Sequence, residues 1–180
     1  MTKKQLALEV IDRLKKYKVD IDEMLEIIGK NNIGVIGYTS HMEKLGTNNS
    51  DIDVYVICEQ LPKDHKFKVC GKYLVNNLIM NGLELDVEYW DIKDIYNLIK
   101  EVNTEKNKNI DHEHYKLLYR LLIGEKIVNN KLIQELQLEI KNSKVLKRLN
   151  FSYRVRANSE YLDAVNLYKA GEYECALISI

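Results

Sequence analysis

The 180-residue sequence has no surplus of either charge, no apolar run of membrane-spanning length, three widely spaced cysteines and a single proline. Each scarcity excludes something. Lys plus Arg and Asp plus Glu both number 27, so no net field draws the chain toward nucleic acid or an anionic membrane, and such binding would need a local patch. Polynucleotides therefore start as disfavoured partners. Cys58, Cys70 and Cys175 are odd in number and share no zinc-ligand spacing, which speaks against a disulfide framework and for a reducing cytoplasm. The N-terminal MTKKQLALEVIDRLKKYK breaks its apolar residues with charge every few positions, so it is neither a secretory h-region nor a span. The proline scarcity accompanies a richness in Lys, Asn, Ile and Tyr, a compositional bias without functional content.

Nearly half the residues are hydrophobic, enough to bury a core in one domain or in a small domain with a helical appendage. Two amphipathic helices open the chain. The first runs near Lys3 to Lys16 with Leu6, Val10, Ile11 and Leu14 on one face. The second runs near Ile21 to Lys30, with Asp20 and Glu23 at capping-box spacing and Met24, Ile27 and Ile28 behind them. The pattern then shortens to IGVIGY, a strand-length apolar run. A polar turn follows, and then DIDVYVI, where Ile52, Val54, Val56 and Cys58 alternate with Asp51, Asp53, Tyr55 and Ile57 as in a half-buried strand. Asn81-Gly82, flanked by KYLVNNLIM and LELDVEYW, predicts a hairpin with a type I′ turn. In its second arm Leu83, Leu85, Val87 and Tyr89 share one face, and Glu84, Asp86, Glu88 and Trp90 the other.

Beyond Asp91 strand signals fade and four helices are predicted, near Ile92 to Val102, Glu113 to Leu122, Lys131 to Lys141 and Val145 to Ala170, with another beginning after Gly171. The unpatterned Asn103 to Asp111 reads as a linker. The expectation is an α/β fold: a small mixed sheet with flanking helices over 1–102, then an α-helical region over 112–180 whose apolar face invites a second copy or a partner protein.

Two aspartates at i and i+2 on a strand point the same way, about 7 Å apart. With a third carboxylate on a neighbouring strand they form an oxygen-rich, open-sided set of the kind Mg²⁺ takes while binding substrate phosphates. Gly37, Thr39 and Ser40, in the turn after IGVIG, are small or hydroxyl-bearing residues that let a phosphate approach backbone N–H groups. Singly, Asp51 reads as a strand-start cap and Asp53 or Asp86 as a solvated strand residue; the ordered set carries the argument. His112 and His114 diverge on a helix and make no metal pair.

TSHMEKLGTNNSDIDVYVI resembles the signature of the polymerase-β-like nucleotidyltransferases, a Gly-Ser turn followed about ten residues later by Ser-Asp-x-Asp on a strand. LELDVEYW is similar to the strand bearing that family's third aspartate. The resemblance covers Ile33 to Trp90. It implies that Asp51, Asp53 and Asp86 are catalytic and hold two Mg²⁺ ions, with Asp86 assisting deprotonation of the acceptor. It implies that Gly37, Thr39 and Ser40 form the nucleotide-binding turn, with Ser40 on phosphate. Thr39 stands where the family has glycine, and a β-branched residue resists positive φ and crowds phosphates. The implied activity moves an NMP, AMP first, from an NTP such as ATP to a hydroxyl of a small molecule or protein, releasing pyrophosphate. The alternative is a catalytically idle module of the same fold acting as antitoxin or regulatory partner. ANSEYLDAVNLYKAGEYECAL resembles, more loosely, HEPN-type helical domains. HEPN nucleases need an Arg closely followed by His, and no histidine follows His114, so no nuclease activity is expected.

Overall fold

The computed structural model describes residues 9–29, 32–43, 47, 50–63, 68–70, 73–104 and 112–172. Helices α1 (Glu9–Lys16) and α2 (Ile21–Ile28) come first, then strands β1 (Asn32–Tyr38) and β2 (Ile52–Cys58), with a 3₁₀ turn at Ser40–Glu43 between them. Strands β3 (Lys68–Cys70), β4 (Tyr73–Met80) and β5 (Leu83–Asp91) follow. Then come α3 (Ile92–Asn103), α4 (His112–Ile123), β6 (Glu125–Val128), α5 (Asn130–Asn142) and α6 (Val145–Lys169). One mixed sheet runs β3-β4-β5-β2-β1-β6; β2 pairs in parallel with β5 and all other pairs are antiparallel.

The hairpin forms as its turn dipeptide dictates. Asn81 and Gly82 both take positive φ, 51° and 81°, so Met80 pairs directly with Leu83. This register sends Leu83, Leu85, Val87 and Tyr89 of β5 to one face of the sheet, where α1 and α2 bury them with Val10, Leu14 and Met24. Asp20 caps α2 by accepting from the N–H groups of Asp22 and Glu23. Ile27, expected on the inner face of α2, is exposed instead, because Met24 and Ile28 take the inward positions. Leu6 lies outside the described residues.

On the other face Ile36, Tyr38, Tyr55, Ile57 and Trp90 share a core with α3, α4, α5 and the start of α6. This corrects the half-buried reading of β2: from Val54 to Cys58 the strand is buried on both faces, as a parallel-paired central strand must be when helices cover both sides. Helices α4 and α5 therefore pack on the sheet itself, and the start of α6 joins the same core. A second correction is β6, where EKIV between two helices pairs with β1 as an edge strand. Four residues give no period to read.

The predicted limits of α3 to α6 hold within two residues. The expected linker falls mostly on 105–111 and the expected last helix on 173–180, outside the described residues. In α6 the described side chains from Asn150 to Asp163 are all exposed, Phe151, Val155 and Leu162 among them. Among the described residues no helix is long and apolar enough to cross a membrane.

Candidate active site

Parallel pairing of β2 with β5 sets Asp53 beside Asp86, Tyr55 beside Glu88 and Ile57 beside Trp90. Side chains of paired residues leave the sheet on the same face, and neighbouring strands lie about 4.8 Å apart. The two carboxylates expected to cooperate are thus brought together on the face covered by the C-terminal helices. Asp51 sits just before β2, two residues ahead of Asp53, with its side chain exposed.

The charges of this row press on one another. Burial raises Asp53 to about 6 despite the pull of Arg120, and Asp51 and Asp86 push it further up. Asp86 is raised by burial and then by Asp51 and Glu84. Glu88, beside them on the same face, is raised first by burial, although the Trp90 indole N–H donates to its Oε2 at 3.0 Å. From β4, the Asn77 amide donates to Asp86 Oδ1 at 2.6 Å, which fixes that carboxylate's orientation.

Arg120 of α4 answers these charges. Its Nη1 donates to Asp53 Oδ1 at 3.1 Å and to the Tyr55 hydroxyl at 3.0 Å, and its guanidinium lies over the Tyr38 ring, 4.6 Å from the centroid. Burial works against this cation, yet Tyr55, Asp53 and Tyr38 hold it above its ordinary value. Tyr38 in turn is raised by burial and by its hydrogen bond to Glu43 of the 3₁₀ turn. Sequence reasoning missed Arg120, although LLYRLLI carried a signal: one cation amid six apolar or aromatic neighbours needs an anionic partner once its helix packs.

The turn after β1 is built differently from its expected role. Thr39 is fully buried; its Oγ1 accepts from Arg13 Nη1 at 3.3 Å and donates to the Asp51 carbonyl at 3.4 Å. Arg13 Nη2 also donates to the Ser50 carbonyl. The Thr39 side chain thus ties the start of β2 to α1 and is closed to a nucleotide. Nor is it strained, since the non-glycine residues at positive φ among those described are Lys18, Asn81 and Asn129. Gly37 bonds within the sheet between β2 and β6, and its bare side faces α1, where an added Cβ would meet Val10 Cγ1 at 2.5 Å. Its smallness serves helix packing on the face opposite the carboxylates. Ser40 opens the 3₁₀ turn and is partly exposed, so of the three turn residues its hydroxyl remains open to a ligand.

The donors fit a divalent ion in kind: carboxylate oxygens crowded enough to raise one another, on one face and at one end of the sheet. They are not drawn into a ready cage. Among the described residues no three His, Cys, Asp or Glu side chains are grouped so as to hold a metal ion, and the guanidinium of Arg120 takes Asp53 Oδ1.

No protein-family model and no curated protein matches the chain. Among solved structures it is similar to a nucleotidyltransferase-like protein from Exiguobacterium sibiricum 255-15, at 14% identity and a TM-score of 0.42, over 96% of this chain and 51% of that one. The chain thus spans about half the length of that protein.

Proposed function

We propose that the protein is a nucleotidyltransferase that moves a nucleoside monophosphate, AMP first, from an NTP to a hydroxyl of a small molecule or protein. The observation that carries this reading is the register pair Asp53 and Asp86, on one face of the sheet with Asp51 two residues before. In the reaction the acceptor oxygen bonds to the α-phosphorus, the bond from that phosphorus to the bridging oxygen breaks, and pyrophosphate leaves. Asp86, raised by burial and with its orientation held by Asn77, would take the acceptor's proton. Asp51, Asp53 and Asp86 are the residues that would hold Mg²⁺, whose charge would neutralise the triphosphate. Ser40 is the turn residue with a hydroxyl to offer phosphate.

The experiment is transfer from α-labelled ATP to a panel of hydroxyl acceptors with and without Mg²⁺. Asp51→Ala and Asp53→Ala are expected to abolish Mg²⁺-dependent transfer while the protein stays folded by circular dichroism. Undiminished transfer in both variants rules the mechanism out.

A second reading has its own support. The exposed Phe151, Val155 and Leu162 of α6 and the pairing of Asp53 with Arg120 suit an idle module that docks a partner through α6. Calorimetry separates the two readings, because such a module gives no Mg²⁺-dependent heat with ATP.

A further inference from the structure

Arg120 bears on how the site is filled. The Arg120 side chain is largely shielded from solvent, and its guanidinium sits among the Asp53 carboxylate, the Tyr55 hydroxyl and the Tyr38 ring, three groups that suit a cation and none that suits an anion. It supplies the positive charge that the crowded carboxylates call for. A guanidinium and a divalent ion on one carboxylate would repel each other at close range, so an ion arriving alone has to compete with Arg120 for Asp53. The cost disappears if Arg120 gains another anion as it leaves, and a planar guanidinium is well matched to phosphate oxygens.

We propose that Arg120 is a resident counter-cation that holds Asp53 until substrate arrives, and then transfers its charge to the polyphosphate of the incoming nucleotide. Divalent ion and nucleotide thereby bind as a pair, and the ion alone binds weakly. The inference rests on the carboxylate site proposed above and deepens it by naming the order in which that site fills. It requires no covalent step. It also gives the Tyr38 ring a purpose: a cation resting partly on an aromatic face can exchange one oxygen partner for another without losing all of its support.

The test uses the whole chain and two titrations by calorimetry: Mg²⁺ alone, and a non-hydrolysable ATP analogue at saturating Mg²⁺. In Arg120→Gln, affinity for Mg²⁺ alone is expected to rise about tenfold while affinity for the analogue falls by a similar factor. The opposite signs are what a merely structural role would not produce, since general damage weakens both. Arg120→Lys keeps a charge without the planar fork and is expected to fall between the two in both titrations; it stands in if Arg120→Gln does not fold by circular dichroism. Equal Mg²⁺ affinity in wild type and variant, or an undiminished analogue affinity, overturns this inference while leaving the carboxylate site standing. Absence of Mg²⁺ and analogue binding in every form overturns both.

Discussion

Arg120 Nη1 lies 3.1 Å from Asp53 Oδ1, a contact across 67 positions that joins the covering helix α4 to the central strand β2. Both side chains are largely shielded, with 21% and 15% of their surfaces exposed. A shielded carboxylate left without its partner is costly, so Arg120→Gln is expected to lower stability at neutral pH by about 2 to 3 kcal/mol. Millimolar Mg²⁺ is expected to restore more of the melting temperature in the variant than it adds to wild type, because the ion can then take the empty place. Equal Mg²⁺ shifts in the two proteins count against the pairing as the main restraint on Asp53.

The same carboxylate sets a pH dependence. Burial, against the pull of Arg120 and with the push of Asp51 and Asp86, lifts Asp53 to about 6. An unfolded aspartate titrates near ~4. The folded protein therefore holds that proton more tightly than the unfolded chain. The contribution of this group to metal-free stability is expected to be whole below about 4, to fall as pH rises through about 6, and to be lost above that. The loss amounts to about 2 to 3 kcal/mol from this group, and the raised Asp86 and Glu88 act in the same direction. Urea unfolding in EDTA across pH 4 to 7 reads it, and Asp53→Asn is expected to flatten most of the slope. An unaltered slope in that variant assigns the effect elsewhere.

The elements legible in the sequence were those with a local cause. Asn81-Gly82 announced the hairpin because positive φ at two successive residues suits few other dipeptides, and the alternation of β5 followed from its two unlike faces. Alternation put Asp53 and Asp86 each on the polar face of its own strand, and that the two strands lie side by side came only from the family resemblance and is shown by the pairing of β2 with β5. What escaped depended on contacts across the chain. The second buried face of β2 exists because the helices from α3 onward pack on it, and β6 is too short to carry a period. Arg120 was visible only as an unexplained charge in an apolar helix, and its partner Asp53 lies on another element. The roles expected of Gly37 and Thr39 came from the turn pattern. Their neighbours Val10 and Arg13 lie on α1, which no motif couples to that turn.

Thr39 gives a direct test of the rebuilt turn. If the threonine were a strained replacement for glycine, Thr39→Gly would tighten nucleotide binding. Because its hydroxyl bonds Arg13 and the Asp51 carbonyl, the expectation is the reverse. Thr39→Gly is expected to cost about 1 to 2 kcal/mol with no gain in ATP affinity. Thr39→Ser, which keeps the hydroxyl, is expected to retain most of the stability. A gain in ATP affinity in the glycine variant would return Thr39 to the list of residues that crowd the phosphates.

Two glycines separate packing of the fold from positioning of the site. At Gly37 an added Cβ meets the Val10 side chain at 2.5 Å, and a helix held by side-chain contacts can yield; at Gly124 it would collide with Ile36 and stand 2.8 Å from the backbone oxygen of Arg120. Gly37→Ala is therefore expected to cost about 1 to 3 kcal/mol through α1 while leaving Arg120 in place. Gly124→Ala is expected to cost at least as much, and also to shift the end of α4 that carries Arg120. Near-ultraviolet circular dichroism of Tyr38 and Tyr55, the aromatic neighbours of the guanidinium, should change in Gly124→Ala and stay close to wild type in Gly37→Ala. If the two variants perturb that signal alike, Arg120 does not depend on the close approach of α4 to β1 that Gly124 permits.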